Sequence, residues 1–172
     1  MVHIYVDGET DSRLVQLLLD DLRTVSYQII VANGRNAIRP RARKALLMKR
    51  VPVALIVDAD TTDEHQAAMQ QRELDDYLAW GSNHSEYKVI QFIPEIEVLF
   101  FEAPKTLALL TGREISAEMQ AAGKAAPRKV LSTLLNIRDR AKLFSCLSQA
   151  NLEELRAHPK ISELRSFIHS AS

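Results

Sequence analysis

The chain has one cysteine, five glycines and six prolines in 172 residues. Each scarcity excludes something. A single thiol, Cys146, cannot close an internal disulfide, so the fold must stand on its own core, as suits a reducing cytoplasm; we read Cys146 as a core thiol rather than a nucleophile. Nowhere does an apolar run reach about 18 residues, which leaves no candidate membrane span. The N-terminus lacks a basic stretch followed by an apolar core, so no signal peptide is expected. Neither Gly-x-x-x-x-Gly-Lys-Ser/Thr nor Gly-x-Gly-x-x-Gly occurs, so the chain carries no nucleotide-binding loop of its own. Five histidines, at 3, 65, 84, 158 and 169, share no metal-ligand spacing and read as surface or core residues. There is no internal repeat and no low-complexity tract.

What the chain does have is 47% hydrophobic and 26% charged residues, a globular balance. Basic and acidic residues number 22 each, but they are segregated. Arg35, Arg39, Arg41, Arg43, Lys44, Lys49 and Arg50 form a basic block without an acid. Asp58, Asp60, Asp63, Glu64, Glu73, Asp75 and Asp76 form an acidic block relieved only by Arg72. Blocks of this kind meet charged partners or ions. Lys124, Arg128, Lys129, Arg138, Arg140 and Lys142 make a second basic stretch, against Asp139 alone.

Hydrophobic periodicity predicts strands at 2–7, 27–31, 53–57 and 87–93. Helices are expected between them: one capped by Asp11 or Ser12, one with Pro40 in its first turn, and one capped by Thr61 or Thr62 and running to about Trp80. The β-α-β-α-β-α-β order predicts a parallel four-stranded sheet with helices on both faces. After it comes an apolar helical stretch from Glu95 to about Leu110, broken at Pro104. Short helices near 114–122, 128–135, 139–149 and 151–169 follow. The reading is an α/β domain over 1–110 and a helical C-terminal extension over 111–172 packed on it. The amphipathic last helices suit either a core face or a dimer seam.

Two of the strands end in acid: Val2-His3-Ile4-Tyr5-Val6-Asp7, and Val53-Ala54-Leu55-Ile56-Val57-Asp58-Ala59-Asp60. In the common strand order 2-1-3-4 these strands are neighbours, about 4.8 Å apart. Ligands bind beyond the carboxyl ends of such strands, where strand order reverses. Carboxylates gathered there repel one another unless a cation compensates, and an all-oxygen donor set selects Mg²⁺ or Mn²⁺, or Ca²⁺, over zinc.

Val6-Asp7-Gly8-Glu9-Thr10-Asp11 resembles the first motif of the TOPRIM family, an apolar strand followed by Glu-Gly-x-Thr/Ser-Asp/Glu. Leu55-Ile56-Val57-Asp58-Ala59-Asp60 resembles its second, an apolar strand followed by Asp-x-Asp, at the right separation of about 50 residues. Phe92-Ile93-Pro94-Glu95-Ile96-Glu97 is similar to a later segment of small stand-alone TOPRIM proteins. The resemblance implies a Rossmann-like TOPRIM fold and divalent-metal-dependent phosphodiester hydrolysis of nucleic acid, as in OLD-type nucleases. On that reading Asp7, Asp58 and Asp60 are catalytic, and Mg²⁺ or Mn²⁺ is held by Asp7, Asp58, Asp60, Asp11 and Glu97, with Glu95 a further candidate. Arg35, Arg39, Arg43, Lys44, Arg50 and Lys129 would bind DNA or RNA. The partners it admits are nucleic acid, a second copy of the chain and a separate ATPase.

One departure is chemical. The family's first-motif glutamate falls on Asp7, one methylene shorter, so a module that binds nucleic acid or a protein without cleaving is the alternative. Asp58-Ala59-Asp60-Thr61-Thr62 also fits the Asp-x-Asp-x-Thr of HAD phosphatases, but that family needs a later acidic pair at a strand end.

Overall fold

The computed structural model describes residues 1–82, 85–136, 147 and 149–171, and no side chain of Arg35, Gln149 or Ala150. Cys146, His84, Arg138, Asp139, Arg140, Lys142 and most of the helix expected at 139–149 lie outside the described residues.

Four parallel strands, β1 (Val2–Val6), β2 (Tyr27–Val31), β3 (Val53–Asp58) and β4 (Tyr87–Phe92), form one sheet in the order β2-β1-β3-β4. Strand order therefore reverses between β1 and β3, with Tyr5 opposite Leu55. Every residue of β1 is buried, as a strand covered on both faces must be. The alternation of side chains divides the core in two. Val2, Ile4, Val6, Ala54, Ile56, Ile90 and Phe92 face one layer; Tyr5, Val53, Leu55 and Val89 face the other.

The second face is covered by α2 (Arg35–Lys44), its π-helical continuation Ala45–Lys49, and α3 (Glu64–Ser82). The first face is covered by α1 (Glu9–Leu19), α4 (Val98–Glu102), α5 (Pro104–Thr111), α7 (Pro127–Leu134), α8 (Gln149–Arg156) and α9 (Pro159–Ser170). Between α5 and α7, α6 (Ala117–Ala125) packs on α4 and α7. Leu131, Leu152, Leu155, Ile161, Leu164 and Ile168 thus share a core with β1. None of the described helices is long and apolar enough to cross a membrane.

Three helix starts differ from the sequence expectation. α1 opens after Gly8, so Asp11 lies in its first turn rather than at its cap. α2 opens at Arg35 and takes Pro40 into its interior; burial of Ile38, Ala42, Ala45 and Leu46 outweighs the proline's local preference. α3 is capped not by a threonine but by Asp63, whose Oδ1 accepts from the Gln66 N–H at 3.0 Å.

The C-terminal helices are tied down by charge as well as packing. Arg156 donates to the Leu17 and Leu18 carbonyls at 2.9 and 3.1 Å, and Arg165 to the Leu18 carbonyl at 2.9 Å. These are the orphan carbonyls at the end of α1. Arg165 also holds Asp21 in a two-pronged pair at 2.7 and 2.8 Å. Glu154 reciprocates at the start of α5, accepting from the Thr106 N–H and hydroxyl, both at 2.6 Å.

Candidate metal centre

β3 is buried from Val53 to Ile56 and half-buried at Val57 and Asp58, and pairing with β4 continues past its end. Asp58 stands opposite Phe92. The Ala59 N–H then donates to the Phe92 carbonyl and the Asp60 N–H to the Pro94 carbonyl, each at 2.8 Å. Asp60 takes a left-handed backbone (φ 51°), which aspartate tolerates better than most side chains. This zipped loop pair brings Glu95, just beyond β4, over the end of β3. Asp58, Asp60 and Glu95 each present a carboxylate oxygen, and the three oxygens lie within 4.8 Å of one another.

Asp7 and Asp11 approach from the β1–α1 side. With Gly8, Ile38, Val57, Asp58, Asp60 and Arg128 they line a cleft of about 250 Å³ at the point where strand order reverses. A larger cavity, about 560 Å³, runs along β4 and includes none of these acids. Glu97 is 2% exposed behind the cluster. Burial, reinforced by the charges of Asp11 and Glu97, pushes the Asp58 carboxyl up to about 8, although the Ile96 N–H (2.9 Å) and Arg128 both favour its ionised form.

Arg128 is the cation that meets these acids. Its guanidinium lies 2.9 Å from Glu95 Oε2, 3.3 Å from Glu97 Oε1 and 3.5 Å from Asp58 Oδ2. Its backbone N–H, the second residue of α7, donates to Glu95 Oε1 at 2.9 Å. Glu95 therefore caps the helix that delivers the arginine. Burial, the largest influence, pulls the Arg128 pKa down, yet the attraction of Glu97, Glu95 and Asp58 leaves it raised.

The residues suit a hard divalent ion. The donors are all oxygens. Burial and the neighbouring charges of Asp11 and Glu97 disfavour the ionised form of Asp58, as a site awaiting further positive charge would, and Asp7 Oδ1 is buried with no hydrogen-bond partner among the described residues.

Of the expected ligands, Asp7, Asp11, Asp58 and Asp60 come to one cleft. Glu97 sits behind it, and Glu95 rather than Glu97 joins the tight group of three. The expected nucleic-acid residues differ in exposure. Lys44, Arg50 and Lys129 are exposed, and Arg39 is half-buried. Arg43 instead turns inward, stacked 4.8 Å from the centre of the Tyr77 ring and packed over Gly81. Sequence reasoning did not single out Arg128. The excess of buried acid implied a cation, but several basic residues were equally eligible by position. Among the described residues, Asp75 and Asp76 lie inside α3 rather than at the strand end a HAD phosphatase needs, and β4 ends at Phe92.

A parallel sheet ordered β2-β1-β3-β4, with acids after its two central strands, is a Rossmann-like fold consistent with the TOPRIM arrangement expected from the sequence. Among solved structures, the chain is similar to the C-terminal region of the Burkholderia pseudomallei OLD protein. The TM-score is 0.62 at 15% identity, over 99% of this chain and 98% of that one; at that identity the likeness is one of fold. No protein-family model matches the chain, and no curated protein matches it in sequence.

Proposed function

We propose that this chain is a divalent-metal-dependent phosphodiesterase that cleaves nucleic acid. The observation that carries this reading is the group of Asp58, Asp60 and Glu95 oxygens within 4.8 Å, set at the switch point of an OLD-like fold. Mg²⁺ or Mn²⁺ would be held there, with Asp7 and Asp11 completing the site from the α1 side and Glu97 acting through Arg128. When bound, the ion supplies polarisation of a phosphate oxygen and a lowered pKa for an attacking water. The chain's own residues do the remainder. Asp58, with a carboxyl that titrates near 8, can hold or release a proton in the neutral range. Arg39, Lys44, Arg50 and Lys129 offer charge to a phosphate backbone. No nucleotide-binding loop occurs in these 172 residues, so any ATP-driven step would rely on a nucleotide-binding unit outside them, such as a separate ATPase.

The test is incubation with plasmid, single-stranded DNA and single-stranded RNA in millimolar Mn²⁺. Cleavage that chelation abolishes, and that Asp58→Ala lowers by about a hundredfold or more, supports the proposal. A folded wild-type chain that cleaves none of them refutes it. Reversing charge together at Arg39 and Lys129 should weaken nucleic-acid binding and reduce its salt slope; an unchanged slope would remove those residues from the interface. A second reading, binding without cleavage, draws on Asp7, which lines the cleft but stands outside the group of three and is one methylene shorter than the family's glutamate.

A further inference from the structure

The acid cluster is already bridged by a cation, and that cation is covalently part of the chain. Arg128 bonds Glu95 through both its backbone and its side chain: the N–H takes Oε1 and the guanidinium takes Oε2, each at 2.9 Å. The same guanidinium nitrogen is directed at Asp58 Oδ2. Glu95 and Asp58 are two of the three carboxylates that converge. A divalent ion of the Mg²⁺ or Mn²⁺ class needs oxygens at about 2.0–2.2 Å. It would compete with the guanidinium for Glu95 and Asp58, and two cations side by side repel.

The backbone and the head of Arg128 are held differently. The backbone is fixed by helix α7 and the Glu95 bond. The side chain is 43% exposed, so water is available to it when it leaves.

We propose that Arg128 is a built-in counter-cation: its guanidinium takes the divalent ion's place in the metal-free chain and swings out when metal binds, so that it sets the metal affinity of the site. The inference rests on the metal site proposed above. The guanidinium keeps the acids together without metal, and it makes the ion compete for its ligands. Its loss should tighten metal binding, the opposite of what removal of a ligand-supporting residue does.

The experiment is calorimetric titration of the full chain with Mn²⁺, comparing wild type, Arg128→Gln and Arg128→Lys. Each titration is run in two buffers of different ionisation heat, so that protons displaced from the carboxyls are counted separately. Arg128→Gln is expected to bind Mn²⁺ about tenfold more tightly than wild type, as the loss of charged hydrogen bonds to the ligands implies. Arg128→Lys, which keeps the charge but not the fork, should fall between them. Equal or weaker binding by Arg128→Gln, after the proton correction, overturns the proposal.

A second measurement needs no variant. In ¹⁵N-labelled wild type, the Arg128 Nε–H signal, held by Glu97, should shift and exchange faster with water as Ca²⁺ saturates the site. A signal that stays unmoved at saturation also overturns the proposal. If wild type binds neither ion, the metal site itself fails and this inference falls with it. If wild type binds metal while Arg128 stays in place, this inference falls alone.

Discussion

Asp58 carries the largest electrostatic penalty described at the site, and its direction fixes a pH dependence. An aspartate in an unfolded chain loses its proton near pH 4; in the folded, metal-free protein Asp58 keeps it to about 8. Between those values the native state binds the extra proton, so stability falls as pH rises. The contribution is favourable below pH 4, declines across the window and is fully unfavourable above about 8. Asp58→Asn retains an oxygen for the Ile96 N–H and cannot ionise. Its melting temperature in chelator should exceed that of wild type at pH 8.5, with a smaller difference at pH 5, as a pair of thermal melts would show; a wild-type curve parallel to the variant's would contradict the shift. At this scale the sequence was informative about acids and silent about their partner. Asp58 and Asp60 declare themselves because a buried strand ends in them. Arg128 does not, because its approach depends on where α7 starts, 70 residues downstream. Arg43 illustrates the converse: a basic residue in a basic block, yet committed to Tyr77 by a packing contact that no local pattern encodes.

Helix α7 points its first turn at the acids because of the corner before it. α6 crosses α4 at Gly123, where a Cβ would come within 2.0 Å of the Phe101 ring, itself fully buried. Gly123→Ala should therefore cost about 1–3 kcal/mol through overpacking, measurable by urea denaturation. It should also loosen the Arg128–Glu95 contact. Glu154→Ala should cost about 1–2 kcal/mol by removing the carboxylate that serves both the N–H and the hydroxyl of Thr106 at the head of α5. Unchanged stability of Gly123→Ala would show that the corner can yield, and of Glu154→Ala that the head of α5 does not depend on that carboxylate. Element type was legible wherever periodicity was strong, as in the four strands and in the Pro104 break between α4 and α5. Helix starts were not, because several polar residues competed for each cap. Asp63 displaced Thr61 and Thr62, and Gly8 displaced Asp11. The choice was made by which start placed the apolar face on the sheet, and that is a tertiary decision.

In the whole molecule, the last helices complete the layer that α1 begins on one face of the sheet. Leu155 and Leu164 are fully buried against the same core as Val2, Ile4 and Val6. Leu164→Ala should cost about 2–5 kcal/mol. A fragment ending at residue 110 should expose that face and populate a loosely packed state, detectable as lost near-ultraviolet dichroism and dye binding; a cooperatively folding fragment would show that the sheet and first helices suffice. The sequence made the strand order and the acidic strand ends readable, because local patterning and the switch-point rule agree on them. It could not say which face the tail would cover, since an amphipathic helix suits any apolar partner. The arginine clasp on α1 has a consequence in time. Leu18 is translated 138 residues before Arg156. During synthesis, therefore, the end of α1 lacks these arginine donors until Arg156 and Arg165 have been made, and the strand bearing Asp58 precedes the arginine that meets it.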